Sequence, residues 1–252
     1  MVSRRGDLTV ASKMTRAFDQ AAAALPDLFE SLVDDTVELS EIEVRRVKVK
    51  EIRRAVVLGH YSGVMPDACQ EAFGAFRANG GLVAAVAYGP GGNSATFNAI
   101  VPGCNSKNAR ELIRVWVHPE APTNTASFVI SKTFKMFSPE VMLIVTFADT
   151  GQNHQGVIYQ ALNFRYLGKS SQGIRYVDES GVEVTARLAN VYRMRQPERF
   201  AGKSLKEIRE ELGWQPVFSH PKHRYAIGVG RNKTRVNKLL DEIRQPYPKG
   251  NQ

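Results

Sequence analysis

Asp149, His154 and Tyr159 follow one another closely in this chain. A carboxylate, an imidazole and a phenol are side chains that move protons near neutral pH or hold hydrogen bonds to a reacting group. Upstream, Asn124, Thr125 and Ser127 form a polar cluster at the predicted start of a helix. The first N–H groups of a helix have no partner within it, so such a start binds anions, phosphates included. His60 and Tyr61 form a second pair able to do acid–base or stacking work, at the end of another predicted helix. Arg114 interrupts a run otherwise made of Leu, Ile, Val and Trp. A largely buried guanidinium needs an anionic partner, and Glu111, Asp149 or a substrate are the choices. Glu111, three residues back on a strand, is expected on the opposite face, which favours Asp149 or substrate.

Each of these residues has a plainer reading. Asp149 could cap a turn. Tyr159 could be core packing. His60 and Tyr61 could close a helix, where a His suits the dipole. Asn124, Thr125 and Ser127 could simply cap. His60, Asp149 and His154 could make a two-His, one-carboxylate metal set, but their spacing adds no support and no metal is expected.

The elements that would position them follow from periodicity. Leu112–Val117 and Val141–Phe147 read as strands, and 126–137 and 157–164 as helices. That strand–helix–strand–helix order puts the donor cradle and the acid–base groups at one edge of one sheet. Ile42–Val49 alternates as a half-exposed strand and Lys50–His60 has helical spacing. Pro66–Phe76 reads as a helix, Asn79-Gly80-Gly81 as a turn and Leu82–Tyr88 as a buried strand. Asn93–Cys104 is strand or loop. Ile174–Val177 and Val182–Val184 form a hairpin. Ser204 and Glu207 fit a capping box for a helix over 205–212, ending at Gly213. An Ala-rich helix, broken at Pro26, occupies Ser12–Val33. The division expected is a helical extension over 1–40, a core over 41–194 and a basic region over 195–252.

The 252 residues suffice for a sizeable core. No run of 18 apolar residues is present, so no membrane-spanning helix is expected, and the N-terminus lacks a secretory pattern. Two cysteines, Cys69 and Cys104, cannot build a disulfide framework, which points to the cytoplasm. Net charge is +9 and unevenly placed: 187–252 holds 15 Lys/Arg against 6 Asp/Glu, whereas 1–186 is balanced. Local basicity implies a polyanion partner. Trp214, Phe218 and the run Tyr225–Val229 imply that this region packs rather than trails in solvent. Lys222, His223, Arg224, Arg231, Lys233 and Arg235 are the expected nucleic-acid contacts.

The middle of the chain resembles the GNAT acyltransferase fold, an α/β (α+β) architecture. It implies a mixed central sheet flanked by helices and splayed between its fourth and fifth strands. The Gly-rich pyrophosphate loop of those enzymes is absent, and Pro122–Ser127 stands in its place. A closer resemblance is to the Mom family of phage DNA-modification proteins, atypical GNAT members. It rests on His60-Tyr61, Glu111-Leu112-x-Arg114-x-Trp116-Val117, Ser127 and Phe147-Ala148-Asp149-x4-His154-x-Gly156-x2-Tyr159-x-Ala161. Phe164-x-Tyr166-x-Gly168, Lys222-His223-Arg224-Tyr225 and Pro246-Tyr247-Pro248-Lys249 extend it.

The family resemblance implies conversion of the adenine N6 amine in double-stranded DNA to N6-carbamoylmethyl adenine, which shields phage DNA from host restriction. It implies Asp149 as base or N6 acceptor and Tyr159 as general acid, with His60 as a further candidate base, Tyr61 stacking on or bonding the flipped adenine, and Arg114 paired with Asp149 or substrate. Asn124, Thr125 and Ser127 would bind the donor. That donor is activated glycine, such as glycyl-tRNA, or an acyl-coenzyme A. A homodimer in the host cytoplasm fits the same picture. The alternatives are a GNAT acyltransferase acting on a small amine and a non-catalytic nucleic-acid binder.

Overall fold

The structure, a computed structural model, describes residues 38–91, 94–184 and 188–249. The helix expected over Ser12–Val33 lies outside them. Ten strands are present among the described residues: β1 (Glu43–Val47), β2 (Glu71–Phe76), β3 (Leu82–Gly89), β4 (Ala109–Val117), β5 (Leu143–Asp149), β6 (Arg165–Lys169), β7 (Ile174–Val177), β8 (Glu183–Val184), β9 (Gln215–Phe218) and β10 (Lys222–Gly228). The helices are α1 (Val49–Gly59), α2 (Ser94–Ile100), α3 (Thr125–Thr133), α4 (Val157–Ala161), α5 (Leu188–Arg195), α6 (Pro197–Phe200), α7 (Leu205–Glu211) and α8 (Lys233–Ile243).

A seven-stranded mixed sheet, ordered β1-β2-β3-β4-β5-β10-β6, forms the centre. β1 to β4 pair antiparallel, and β4 pairs parallel with β5. β3 reads LVAAVAYG and is buried from Val83 to Gly89, as suits a strand covered on both faces. α1 is amphipathic. Glu51 accepts from the Lys48 N–H at 2.7 Å, which opens the helix. Ile52, Ala55 and Val56 then face inward onto Ala72, Ala85, Ala87 and Trp116. Ile52 and Val56 are fully buried, each contributing about 1.5–3 kcal/mol. A second core gathers Phe97 and Ile100 of α2, Leu143 and Val145 of β5, and Val236 and Leu240 of α8.

Two expectations are corrected. Pro66–Phe76 does not form a helix; its second half is β2, paired with β1 and β3. The segment Glu71–Phe76, EAFGAF, looks helical by its alanines, but small residues also let a central strand be covered closely on both sides. The segment expected as strand or loop holds α2 from Ser94, whose Phe97 and Ile100 are three residues apart on its buried side.

The chain clusters into two compact units. Among described residues one holds 38–147, 156–167 and 225–247, and the other 148–155, 168–224 and 248–249. The boundary expected at 194/195 falls inside the second unit, and the basic C-terminal region is shared between both. The second unit has its own sheet, β8-β7-β9, and its own core of Ala189, Phe200, Ile208 and Trp214. Its α7 carries the expected capping box: Ser204 Oγ accepts from the Glu207 N–H at 3.3 Å, and Glu207 accepts from the Ser204 N–H at 2.7 Å.

Gly59 closes α1 directly beneath the Trp116 indole, and a Cβ there would collide with Nε1. Gly59→Ala is therefore expected to destabilise the fold by roughly 1–3 kcal/mol, the usual cost of overpacking. A urea midpoint equal to wild type would refute this close approach.

Candidate active site

The ladder between β4 and β5 is short. It pairs Ala109–Leu112 with Leu143–Thr146 and stops, although β4 runs on to Val117 and β5 to Asp149. This is the splay expected between the fourth and fifth strands. It leaves β4 backbone groups beyond Leu112 without a partner on β5. Side chains take over there. Thr146 Oγ1, fully buried, donates to the Leu112 carbonyl at 3.1 Å. The pairing of β4 with β3 also slips between Ala87 and Tyr88, which sit opposite Arg114 and Leu112. Ile113 is the extra residue of that bulge, and its carbonyl accepts from Arg114 Nη1 at 2.7 Å.

Arg114 Nε also donates to the Val64 carbonyl at 2.8 Å. The guanidinium thus clamps the turn after α1 to the open edge of β4. Burial weakens its hold on the proton, while Tyr61 and Glu111 strengthen it. Glu111 therefore does reach Arg114 electrostatically. The bulge at Ile113 resets the alternation that would have put Glu111 on the other face. The anchors of Arg114 are two backbone carbonyls, those of Val64 and Ile113.

That clamped turn carries His60 and Tyr61. Their rings lie 4.4 Å apart, and Tyr61 is 41% exposed. His60 Nδ1 accepts from the Ser62 N–H at 3.1 Å and lies 2.8 Å from Ser62 Oγ. An Nδ1 that accepts puts the proton of the neutral ring on Nε2, so His60 offers a donor rather than a base.

Tyr159, on α4, completes this group. Burial raises its phenol above the ordinary range, a bond to Thr146 draws it back, and the Tyr61 phenol raises it further. Thr146, bonded to Tyr159, also donates to Leu112 and so joins the phenol to the open edge of β4. The ring packs against Phe164 and Tyr225 at 5.6 and 5.5 Å. Tyr61, Arg114 and Tyr159 thus meet where the β4–β5 ladder ends. Thr146 escaped the sequence reading, because a Thr in an apolar strand looks like an ordinary β-branched residue.

At α3, Asn124 adopts the left-handed conformation, φ 69°, just before the helix. Asn tolerates that region, which otherwise favours Gly. Its side chain makes no cap. The Thr125 and Ser127 hydroxyls donate to the Pro122 and Asn124 carbonyls at 2.6 and 2.9 Å. None of the three side chains accepts from the first turn. Both hydroxyls are thus engaged by carbonyls of the turn that opens α3.

In the second unit, Asp149 accepts from the Gly151 N–H at 2.9 Å through Oδ1, and its Oδ2 lies 3.7 Å from Lys222 Nζ. It caps the short turn Thr150–Gln152. His154 is exposed. Among the described residues no group of three His, Cys, Asp or Glu could hold a metal ion.

The residues expected to contact nucleic acid differ in exposure. His223 is 7% exposed and its imidazole is pushed down by burial and by Lys169. It alternates inward with Tyr225 along β10. Lys222 pairs with Asp149, and Arg224 is half-buried on the same strand. Arg231, Lys233 and Arg235 are exposed, around the start of α8. No helix among the described residues is long and apolar enough to cross a membrane.

The chain is 27% identical over 214 residues to the methylcarbamoylase Mom of Escherichia phage Mu, covering 83% of this chain and 84% of that protein. Among solved structures it is similar to a mutant of the spermidine N-acetyltransferase SpeG from Vibrio cholerae, at 12% identity and a TM-score of 0.42, covering 81% and 98% of the two chains. It is also similar to a phosphinothricin acetyltransferase from Sinorhizobium meliloti in complex with acetyl-coenzyme A, at 10% identity and a TM-score of 0.41, covering 77% and 91%. A family match extends over residues 41–249, most of the sequence, and the chain belongs to the Mom protein family.

Proposed function

We propose that this protein is a transferase that converts the N6 amine of adenine in double-stranded DNA to N6-carbamoylmethyl adenine, so shielding phage DNA from restriction in the host cytoplasm. One observation carries the reading. A buried, protonated phenol, an arginine clamp and an exposed Tyr meet at the end of the β4–β5 ladder, in a chain related to a named methylcarbamoylase.

Adenine N6 is a weak nucleophile, because its lone pair is delocalised into the ring, and duplex pairing hides it. The base must leave the stack. Tyr61, half-exposed beside Arg114, offers a ring to stack on. His60, a donor through Nε2, can hold a ring nitrogen. Asp149 is the proposed acceptor of the N6 proton. Tyr159 is the proposed acid that protonates the leaving group, and the open start of α3 at Asn124, Thr125 and Ser127 holds the donor's phosphate.

Activated glycine, as in glycyl-tRNA, supplies every atom of the product. N6 attacks the ester carbonyl, the carbon–oxygen bond to the ribose breaks, and Tyr159 gives its proton to that oxygen. The glycyl amine then attacks adenine C6. The bond from C6 to the original N6 breaks, and that nitrogen becomes the carboxamide. An acyl-coenzyme A donor would use the same acid on a thiolate.

Nucleosides from the DNA of cells expressing the protein are expected to include an adenine heavier by one carbamoylmethyl group. Mass spectrometry reads this directly. Unmodified DNA beside soluble, folded protein and a supplied glycyl-tRNA or acyl-coenzyme A pool would defeat the proposal.

A further inference from the structure

A cleft of about 570 Å³ lies in the first unit, away from the groups assigned to chemistry. Asn163, Arg165 and Tyr166 form one wall, at the start of β6, and Arg244 to Tyr247 form the other, in the segment after α8. Both walls are fastened. The Gln245 N–H donates to the Tyr166 carbonyl at 2.8 Å. The Tyr247 hydroxyl donates to the Phe164 carbonyl at 2.8 Å. That second bond fixes a ring which is still 42% exposed. A phenol tied by its hydroxyl, with an open ring, is a platform rather than a core residue.

The charge of the cleft favours an anion. Arg165 holds Asp241 through Nε and Nη2, both at 3.0 Å, and keeps that carboxyl below its usual range. Arg244 lies 3.5 Å from the same carboxylate but is 64% exposed. Two cations share one carboxylate, so one positive charge is left over at the mouth. The Asn163 and Gln245 side-chain amides add groups that can both donate and accept. A fixed open ring, a spare cation and two amides in a cavity of this size suit one nucleotide, its base stacked and its phosphate paired.

The cleft is also wired to the proposed site. Tyr247 packs on Tyr225 at 6.4 Å and Tyr225 packs on Tyr159 at 5.5 Å. Tyr166 joins the same stack, 5.2 Å from Tyr225. Burial pushes the Tyr225 phenol, at the centre of this aromatic link, up to about 12. A strand whose adenine lies by Tyr159 would carry a neighbouring nucleotide toward Tyr247.

We infer that the cleft between Asn163–Tyr166 and Arg244–Tyr247 holds one unpaired nucleotide of the DNA strand, with its base on the Tyr247 ring and its phosphate at Arg244. That the strand is DNA rests on the function proposed above. The nucleotide would be a neighbour of the target adenine, held unstacked so that the target stays out of the duplex.

Binding, not modification, tests this. The probe is a fluorescein-labelled single-stranded DNA about 12 nucleotides long, titrated into the full-length protein by anisotropy, with a blunt duplex and an RNA of the same sequence beside it. Tyr247→Ala should weaken single-strand binding roughly 5- to 150-fold, the range for losing one stacked base. Arg244→Gln should lower the log–log salt slope by about 0.7, one phosphate contact on a single strand. Tyr247→Phe keeps the ring and should bind within about twofold of wild type. The closed duplex should lose less than the single strand. Single-strand affinity and salt slope that match wild type in Tyr247→Ala and Arg244→Gln would overturn the inference. So would losses equal on the closed duplex, or confined to RNA. Should Tyr247→Ala unfold, the salt slope of Arg244→Gln decides alone. Failure of wild type to modify DNA, with these binding losses intact, would remove the function proposed above and leave the cleft in place.

Discussion

Tyr159→Phe is expected to lower the rate of adenine modification by roughly 10²–10⁴, the usual contribution of a general acid. The variant removes one oxygen. Its ring keeps its packing on Phe164 and Tyr225, so DNA affinity and melting temperature should change little. The pH dependence sharpens the test. The folded phenol sits above its ordinary range because it is buried. A group raised in this way stays protonated to higher pH than a free tyrosine. If Tyr159 is the acid, the wild-type rate should not fall through loss of this proton until well into the alkaline range, and Tyr159→Phe should lower the whole plateau. A wild-type rate that collapses near neutrality would assign the acid to another group. Full activity in Tyr159→Phe would return the residue to core packing. Thr146→Val supplies a companion measurement. Thr146 is a positioning residue, bonded to Tyr159 and donating to Leu112. Its loss should remove the bond that draws the phenol down and so shift the alkaline limb upward, a change that packing alone would not produce.

The order β4–α3–β5–α4 was legible because each element has its own period and the polar stretches between them are short. The capping box of α7 was legible in two residues, Ser204 and Glu207, because its chemistry is local. Residues 66–76 and 93–104 were not. Glu71–Phe76 is Ala- and Gly-rich, and only the pairing with β1 and β3 makes it a strand. Ser94–Ile100 is too short for its period to stand out. The inward turn of His223 could have been found: along a strand it must share the face of Tyr225, which the apolar run already marked as packed. The basic tail resisted a sequence-order reading for another reason. Its strand β10 inserts between β5 and β6, so residues contiguous in sequence are distributed to both compact units. Which of the catalytic candidates meet was visible only in part. The motif pointed to Tyr61, Arg114 and Tyr159. It could not show where the β4–β5 ladder stops, or that a one-residue bulge at Ile113 turns a carbonyl toward its neighbour's guanidinium. Register is a long-range property, and Arg114 and Thr146 acquire their roles only from it.

That dependence on register makes Arg114→Lys the more revealing substitution. Lysine keeps the charge and about the same length, so a purely electrostatic role would survive it. The clamp would not. Arg114 spans two carbonyls from two nitrogens of one rigid plane, Val64 at 2.8 Å and Ile113 at 2.7 Å. A single ammonium cannot reproduce this fork. One of the two carbonyls should lose its charged donor, at about 1.5–3 kcal/mol. If the lost bond is the one to Val64, the turn that carries His60 and Tyr61 is released. The expected result is a fall in modification rate at saturating DNA of roughly 10- to 100-fold, the same energy read as a rate. A lower melting temperature should accompany it, and DNA affinity should hold. Glu111→Gln should do less, because Glu111 supports the arginine's charge and not its geometry. If Arg114→Lys instead weakens DNA binding and leaves the saturated rate alone, Arg114 touches the substrate and the carbonyl clamp is incidental. If it leaves rate, affinity and melting temperature unchanged, the link between the bulge in β4 and the turn after α1 plays no part in the chemistry. The case for the site would then rest on Tyr61 and Tyr159 alone.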